Sequence, residues 1–141
     1  MVHSFDLHHQ VPYKREEVLQ LLRDFSAFAR FHPLMEKVET IDATHFITHE
    51  FLPLFLGLKF RFAYEVTVTF NEGQVDVVYR ARPQGIGMEF SFTISSEPGS
   101  KTTKVKESVQ LTGPFLVFGF TERAIRKSHT ELFATYSAAA R

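Results

Sequence analysis

From residue 59 to residue 71 apolar side chains fall on every second position: Phe60, Phe62, Tyr64, Val66, Val68 and Phe70. Alternation of this length predicts a long strand with one buried face. Residues 74–81 (Val75, Val77, Tyr79, Ala81) and 87–96 (Met88, Phe90, Phe92, Ile94) repeat the pattern. So do residues 104–112 (Val105, Val109, Leu111), with Glu107 among the inward positions. A four-strand meander with aromatic side chains on one face needs a large cover. The one long helix, at the C-terminal end, is narrow for so wide a floor, and the mismatch predicts an apolar hollow between them.

The remaining elements follow from the same patterning. Residues 3–11 read as a first strand, with Phe5, Leu7, His9 and Val11 on one face and Pro12 ending it. Residues 14–23 read as a short helix with Glu16 and Glu17 in the first turn, where negative charge is favoured. Residues 24–32 form a second short helix (Phe25, Phe28, Phe31) closed by Pro33, and residues 38–41 and 45–52 are the next two strands. Asn71-Glu-Gly and Glu97-Pro-Gly-Ser are turn signals. Gly113-Pro114 opens a helix running towards Ala140, with Gly119 a candidate break in its first turn.

Composition narrows the picture. A chain of 141 residues is most simply one domain, residues 1–141. At this size roughly two-thirds of the unfolded surface is buried on folding, so the core needs no staples. There is no cysteine, which excludes disulfides and thiolate metal sites. Sixteen basic residues balance sixteen acidic ones, so no net field attracts nucleic acid. Sixteen of the aromatic residues are Phe and none is Trp, which suits a dry wall better than a stacking platform for bases. The N-terminal stretch lacks the basic and apolar regions of a signal peptide, and no run reaches bilayer-spanning length. A cytoplasmic location is the expectation.

The order is thus strand, two short helices, six strands, long helix. With Val11-Pro-Tyr-Lys-Arg-Glu-Glu-Val, Asp24-Phe-Ser-Ala-Phe-Ala-Arg-Phe-His32-Pro33 and the terminal helix after Gly113-Pro114, nearly the whole chain resembles the START-related, birch-pollen-allergen-like (SRPBCC) superfamily. Within it the resemblance is to the polyketide cyclase/dehydrase-like branch. It implies an α+β helix-grip fold: a seven-stranded antiparallel sheet wrapped around the C-terminal helix, enclosing a cavity for lipids, polyketides or other apolar ligands. These are signatures of fold rather than of catalysis.

In an antiparallel sheet whose first and last strands pair, strand parity places the loops near 52–58, 83–87 and 112–115 at one end. Two of those segments are almost wholly apolar, residues 51–58 and 113–120. Leu54, Phe55, Gly85 and Phe115 are therefore candidates for the entrance to the hollow. The same apolar rim is a candidate for transient contact with a membrane or a protein partner, and it is equally compatible with side chains folding inward as a plug.

Among polar groups, Glu107 has inward neighbours two positions away, which aims a carboxylate into an apolar interior where it must find a partner or shift its pKa. His129 lies on the terminal helix about 40° from the centre of the stripe of Phe118, Ile125, Leu132 and Tyr136. Glu107 and His129 are the candidate acid/base pair, or alternatively core groups that satisfy one another. His9 can join them. Phe62, Tyr64, Tyr79, Phe90, Phe92, Val109, Phe118, Ile125 and Leu132 are the candidate ligand-binding wall. Metal binding is not expected: His8 and His9 point to opposite faces, and His45 and His49 stand about 13 Å apart along a strand. No phosphate-cradling loop and no nucleophile setting occurs, and no cofactor is expected.

Three functions fit. The first is a carrier or sensor of a hydrophobic small molecule. The second is a cyclase/dehydratase-type enzyme, a lyase without metal, using Glu107 and His129. The third is an interaction protein docking through its apolar rim over a filled interior.

Overall fold

The structure is a computed structural model that describes residues 1–53 and 55–139. Seven strands form one antiparallel sheet: β1 (Val2–Val11), β2 (Met35–Thr40), β3 (His45–Pro53), β4 (Lys59–Glu72), β5 (Val75–Ala81), β6 (Gly87–Ser95) and β7 (Thr103–Thr112). Their spatial order is β1-β7-β6-β5-β4-β3-β2. Strands β2 to β7 are a simple meander, and β1 adds beside β7 in unbroken register from Val2 opposite Thr112 to Val11 opposite Thr103. A long helix, α3 (Phe118–Ala138), lies in the concavity. This is the helix-grip fold.

Because β1 and β2 are the two edges, the chain between them must cross the full width of the sheet. It does so through α1 (Arg15–Arg23) and α2 (Phe25–Ala29). Asp24 caps α2 by accepting from the Ser26 N–H at 3.1 Å. Phe25 and Phe28 then project onto the sheet and meet Tyr79 edge to face, each with ring centroids 5.2 Å apart. The Tyr79 hydroxyl donates to the Leu22 carbonyl at 2.5 Å, pinning the crossing to β5.

The core divides in two. Around the C-terminal half of α3, Leu132, Phe133 and Tyr136 pack against Val11, Phe92, Ile94, Val105 and the α1–α2 crossing. Around its N-terminal half, Phe118 and Ile125 pack against Phe5, Leu7, Val109 and Leu111 of β1 and β7. The helix is thus tied to one side of the sheet along its first turns. The space over β3 to β6 beside those turns is left for a cavity.

Two details differ from the sequence reading. The terminal helix begins at Phe118, after a single 3-10 turn at Phe115–Val117, because Pro114 is extended (φ −66°, ψ 133°) rather than helical. Gly119 sits inside the helix without breaking it. The long strand β4 also overhangs its neighbours, so Phe60 and Phe70 at its two ends are exposed instead of buried.

Candidate functional site

A cavity of about 280 Å³ lies between α3 and the sheet. Its floor is a ladder on β4, where the rings of Phe60, Phe62 and Tyr64 stack in succession at 5.6 and 5.7 Å. Its roof is the side of α3 that carries Thr121, Ala124 and Ser128, joined by Ile125 and His129. Small side chains at this spacing keep the helix from touching the sheet. Phe25, Phe28 and His32 close the inner end, and Phe90 and Met88 form the wall towards β7.

The end of the cavity beside the loops 52–58, 83–87 and 112–115 is the candidate mouth. Leu52, Phe60, Gln84, Ile86, Val117 and Phe120 all border the cavity from that end of the sheet. Around it Leu56, Leu58, Phe115, Leu116 and Phe120 are exposed, an apolar rim on a protein whose interior is not filled. Of the four entrance candidates, Leu54 lies outside the described residues and no side-chain placement is described for Phe55. Gly85 and Phe115 stand in the mouth region but neither lines the cavity, since Gly85 has no side chain to offer and Phe115 turns outward, 60% exposed.

Phe62, Tyr64, Tyr79, Phe90, Ile125 and His129 line the cavity. Five other candidates for the ligand wall do not, contrary to the expectation from the sequence. Phe92 and Leu132 are packed in the filled half of the core, and Val109 and Phe118 belong to the cluster that ties α3 to β1 and β7. His9 stacks on Phe133 at 4.0 Å, on the far side of Glu107 from the cavity. All five share the inward face. Parity alone does not say how far along the sheet the helix makes contact.

Glu107 is also corrected in position. It is wholly buried and sealed behind the wall, not in it. The Nδ1 of His129 donates to one of its oxygens at 2.5 Å, and the Nε2 of His9 to the other at 3.1 Å. Burial pushes the Glu107 carboxyl up, but it is outweighed by the pull of His129, the hydrogen bonds from both rings and the charge of His9. Together they hold it down at about 2. An ionised Glu107 fixes the hydrogen of His129 on Nδ1, which leaves Nε2 as the nitrogen not engaged by Glu107.

Five polar residues of the cavity escaped the sequence reading: His32, Glu50, Gln84, Thr121 and Ser128. His32 is buried beside His129, ring centroids 5.4 Å apart and nearly perpendicular. Its Nδ1 accepts the Leu34 N–H at 3.1 Å. Burial, and next the neighbouring His129, lower it to about 3 against a smaller upward pull from Glu107. His32 is therefore neutral, with its hydrogen on Nε2. Glu50 accepts from the Tyr64 hydroxyl. Burial raises the Glu50 carboxyl, opposed by that hydrogen bond and by His129, and burial likewise raises the Tyr64 hydroxyl well above its ordinary value. Ser128 bonds back to the Ile125 carbonyl at 3.3 Å. Glu50 was visible in principle, since it shares the parity of Phe46, Thr48 and Leu52 on β3. Among the described residues, no group of three or more His, Cys, Asp or Glu side chains is arranged to hold a metal ion. No described helix is long and apolar enough to cross a membrane.

No family model matches the sequence, and no curated protein shows significant sequence similarity to it. Solved structures do share its fold. A START superfamily protein from Mycobacterium smegmatis is similar with a TM-score of 0.68 at 12% identity, over 98% of this chain and 94% of that one. Ara h 8.0201 gives a TM-score of 0.72 at 12% identity, over 99% and 97%. The Zhui aromatase/cyclase from Streptomyces sp. R1128 gives 0.71 at 12% identity, over 99% and 94%. At such identities the likeness establishes the fold, which is the helix grip of START-related and birch-pollen-allergen-like proteins.

Proposed function

We propose that the chain binds a hydrophobic small molecule in the cavity under α3. The observation that supports this most directly is the cavity itself: a stacked aromatic floor, an open apolar mouth and a few polar groups gathered at the inner end. Its volume is near the lower edge of the roughly 300–1,000 Å³ usual for small-molecule sites, which suits a compact ring system better than a two-chain lipid. The test is saturable binding of a neutral naphthylamine fluorophore, with native mass spectrometry of the purified protein to reveal a co-purified guest. One bound probe per chain, displaced by apolar competitors, is the expected result. An empty protein that takes up no apolar probe overturns the reading.

A second reading is favoured by one specific arrangement, the carboxylate-backed imidazole of His129 in the cavity wall. On it the protein is a proton-transfer enzyme of the cyclase/dehydratase type; one protein of the same fold is by name an aromatase/cyclase. His129 is then the group that takes and returns protons, and Glu107 orients it without touching substrate. Turnover of a poly-β-ketone to an aromatic product, lost in His129→Phe while fluorophore binding survives, separates this reading from simple carriage.

A further inference from the structure

The inner end of the cavity carries two imidazoles whose second ring nitrogens have no partner among the described residues. His32 uses Nδ1 on the Leu34 N–H and His129 uses Nδ1 on Glu107. The Nε2 of neither ring meets a hydrogen-bond partner among the described residues. Both side chains are buried, at 6% and 5% exposure, and both line the cavity. The fully enclosed, unpartnered side-chain oxygens and nitrogens among the described residues come down to Thr48 Oγ1. Neither Nε2 is fully enclosed and each belongs to a ring that lines the cavity, so a guest that offers them nothing leaves buried polar groups unpaired.

We infer that these two rings form a subsite for a hydroxyl group, so that the ligand is a compact apolar alcohol or phenol that enters with its hydroxyl leading. This rests on the cavity-binding reading above. His32 is a fixed donor. Its acceptor nitrogen is committed to the backbone, so whatever meets Nε2 must accept. The facing ring stands 5.4 Å away centroid to centroid, which puts both rings beside the same end of the cavity. Glu107 holds the hydrogen of His129 on Nδ1, and that tautomer leaves a lone pair on Nε2, so the guest oxygen must accept from His32 and donate to His129; a hydroxyl does both. An ether or ketone oxygen accepts from His32 but has no hydrogen for His129. A carboxylate would be brought beside the Glu50 and Glu107 carboxyl groups. The aromatic ladder of Phe60, Phe62 and Tyr64 then receives the apolar body.

The experiment compares β-naphthol, its methyl ether and β-naphthoate as ligands of the intact chain by calorimetry or fluorophore displacement. β-Naphthol is expected to bind at least about tenfold more tightly than either of the others. The preference over the ether is expected to fall to within about twofold in His32→Phe and in His129→Phe. Because His32→Phe also frees the Leu34 N–H, the wild-type ligand series stands as a readout that needs no variant. Equal affinity for naphthol and ether, or tighter binding of the carboxylate, overturns the hydroxyl subsite while leaving apolar binding in place. Failure of all three to bind overturns the binding reading together with this one.

Discussion

His32 and Glu107 resist protonation in the folded chain for different reasons, and both make stability depend on pH in the same direction. Burial and the adjacent His129 lower His32 from 6.5 to about 3. Between those values the unfolded chain takes a proton on this ring that the folded chain refuses. Stability is thus complete above pH 6.5 and falls as the pH drops, at about 1.4 kcal/mol per pH unit. Glu107, lowered from 4.5 to about 2 by its two histidines against the cost of burial, adds a second loss that begins only below pH 4.5. Urea denaturation across the acid range is expected to show a slope that steepens at that point. In His32→Phe the upper part of the slope, between pH 6.5 and 4.5, should flatten while the lower part persists. An unchanged profile would mean that His32 is charged and solvated in the native state.

Two mouth turns share an unusual backbone, and it is paid for in strain. Leu56-Gly57 and Gln84-Gly85 each place consecutive residues at positive φ, 58° and 74° in the first pair and 51° and 80° in the second. A non-glycine residue in this region costs roughly 1–2 kcal/mol. Gln84 is exposed and borders the cavity. Gln84→Gly should therefore stabilise the chain by about 0.5–1 kcal/mol, less the added freedom of the unfolded glycine, read as a higher denaturation midpoint at unchanged slope. These turns mark the limit of what patterning conveys. Period-two alternation locates β4 to β7 within a residue or two, because each strand keeps one face dry. Glycines at 57 and 85 announce turns, yet the leucine and glutamine before them give no local sign of a left-handed backbone. The same limit applies to the site. His129 was legible from its angle on the helix, and Glu107 from its parity. His32 was not: the pattern places it in the last turn of a helix over residues 24–32, whereas α2 ends at Ala29 and His32 lies in the irregular stretch beyond it. Nor did parity on β6 and β7 distinguish Phe90, which meets the cavity, from Phe92 and Val109, which meet the helix.

At the scale of the molecule, the cavity exists because α3 is asymmetric. One side of its buried stripe is large, with Phe118, Ile125, Leu132 and Phe133 packed to the sheet. The other carries Thr121, Ala124 and Ser128 and stands off from the floor. Helix and sheet therefore grip at one side and one end, and the gap between is fixed by side-chain size rather than by the path of the backbone. Enlarging one small residue should then abolish the site without disturbing the fold. Ala124→Trp places an indole, which buries roughly 150–250 Å², into space that the aromatic ladder already lines. New apolar burial outweighs the lower helix propensity, about 0.5 kcal/mol, so stability to urea should be unchanged or higher by about 1 kcal/mol. Affinity for an apolar probe should fall at least about tenfold. Loss of both stability and binding would mean that the indole is overpacked and that the roof cannot yield. Full stability with undiminished binding would place the bound probe elsewhere, on the exposed leucines and phenylalanines of the rim.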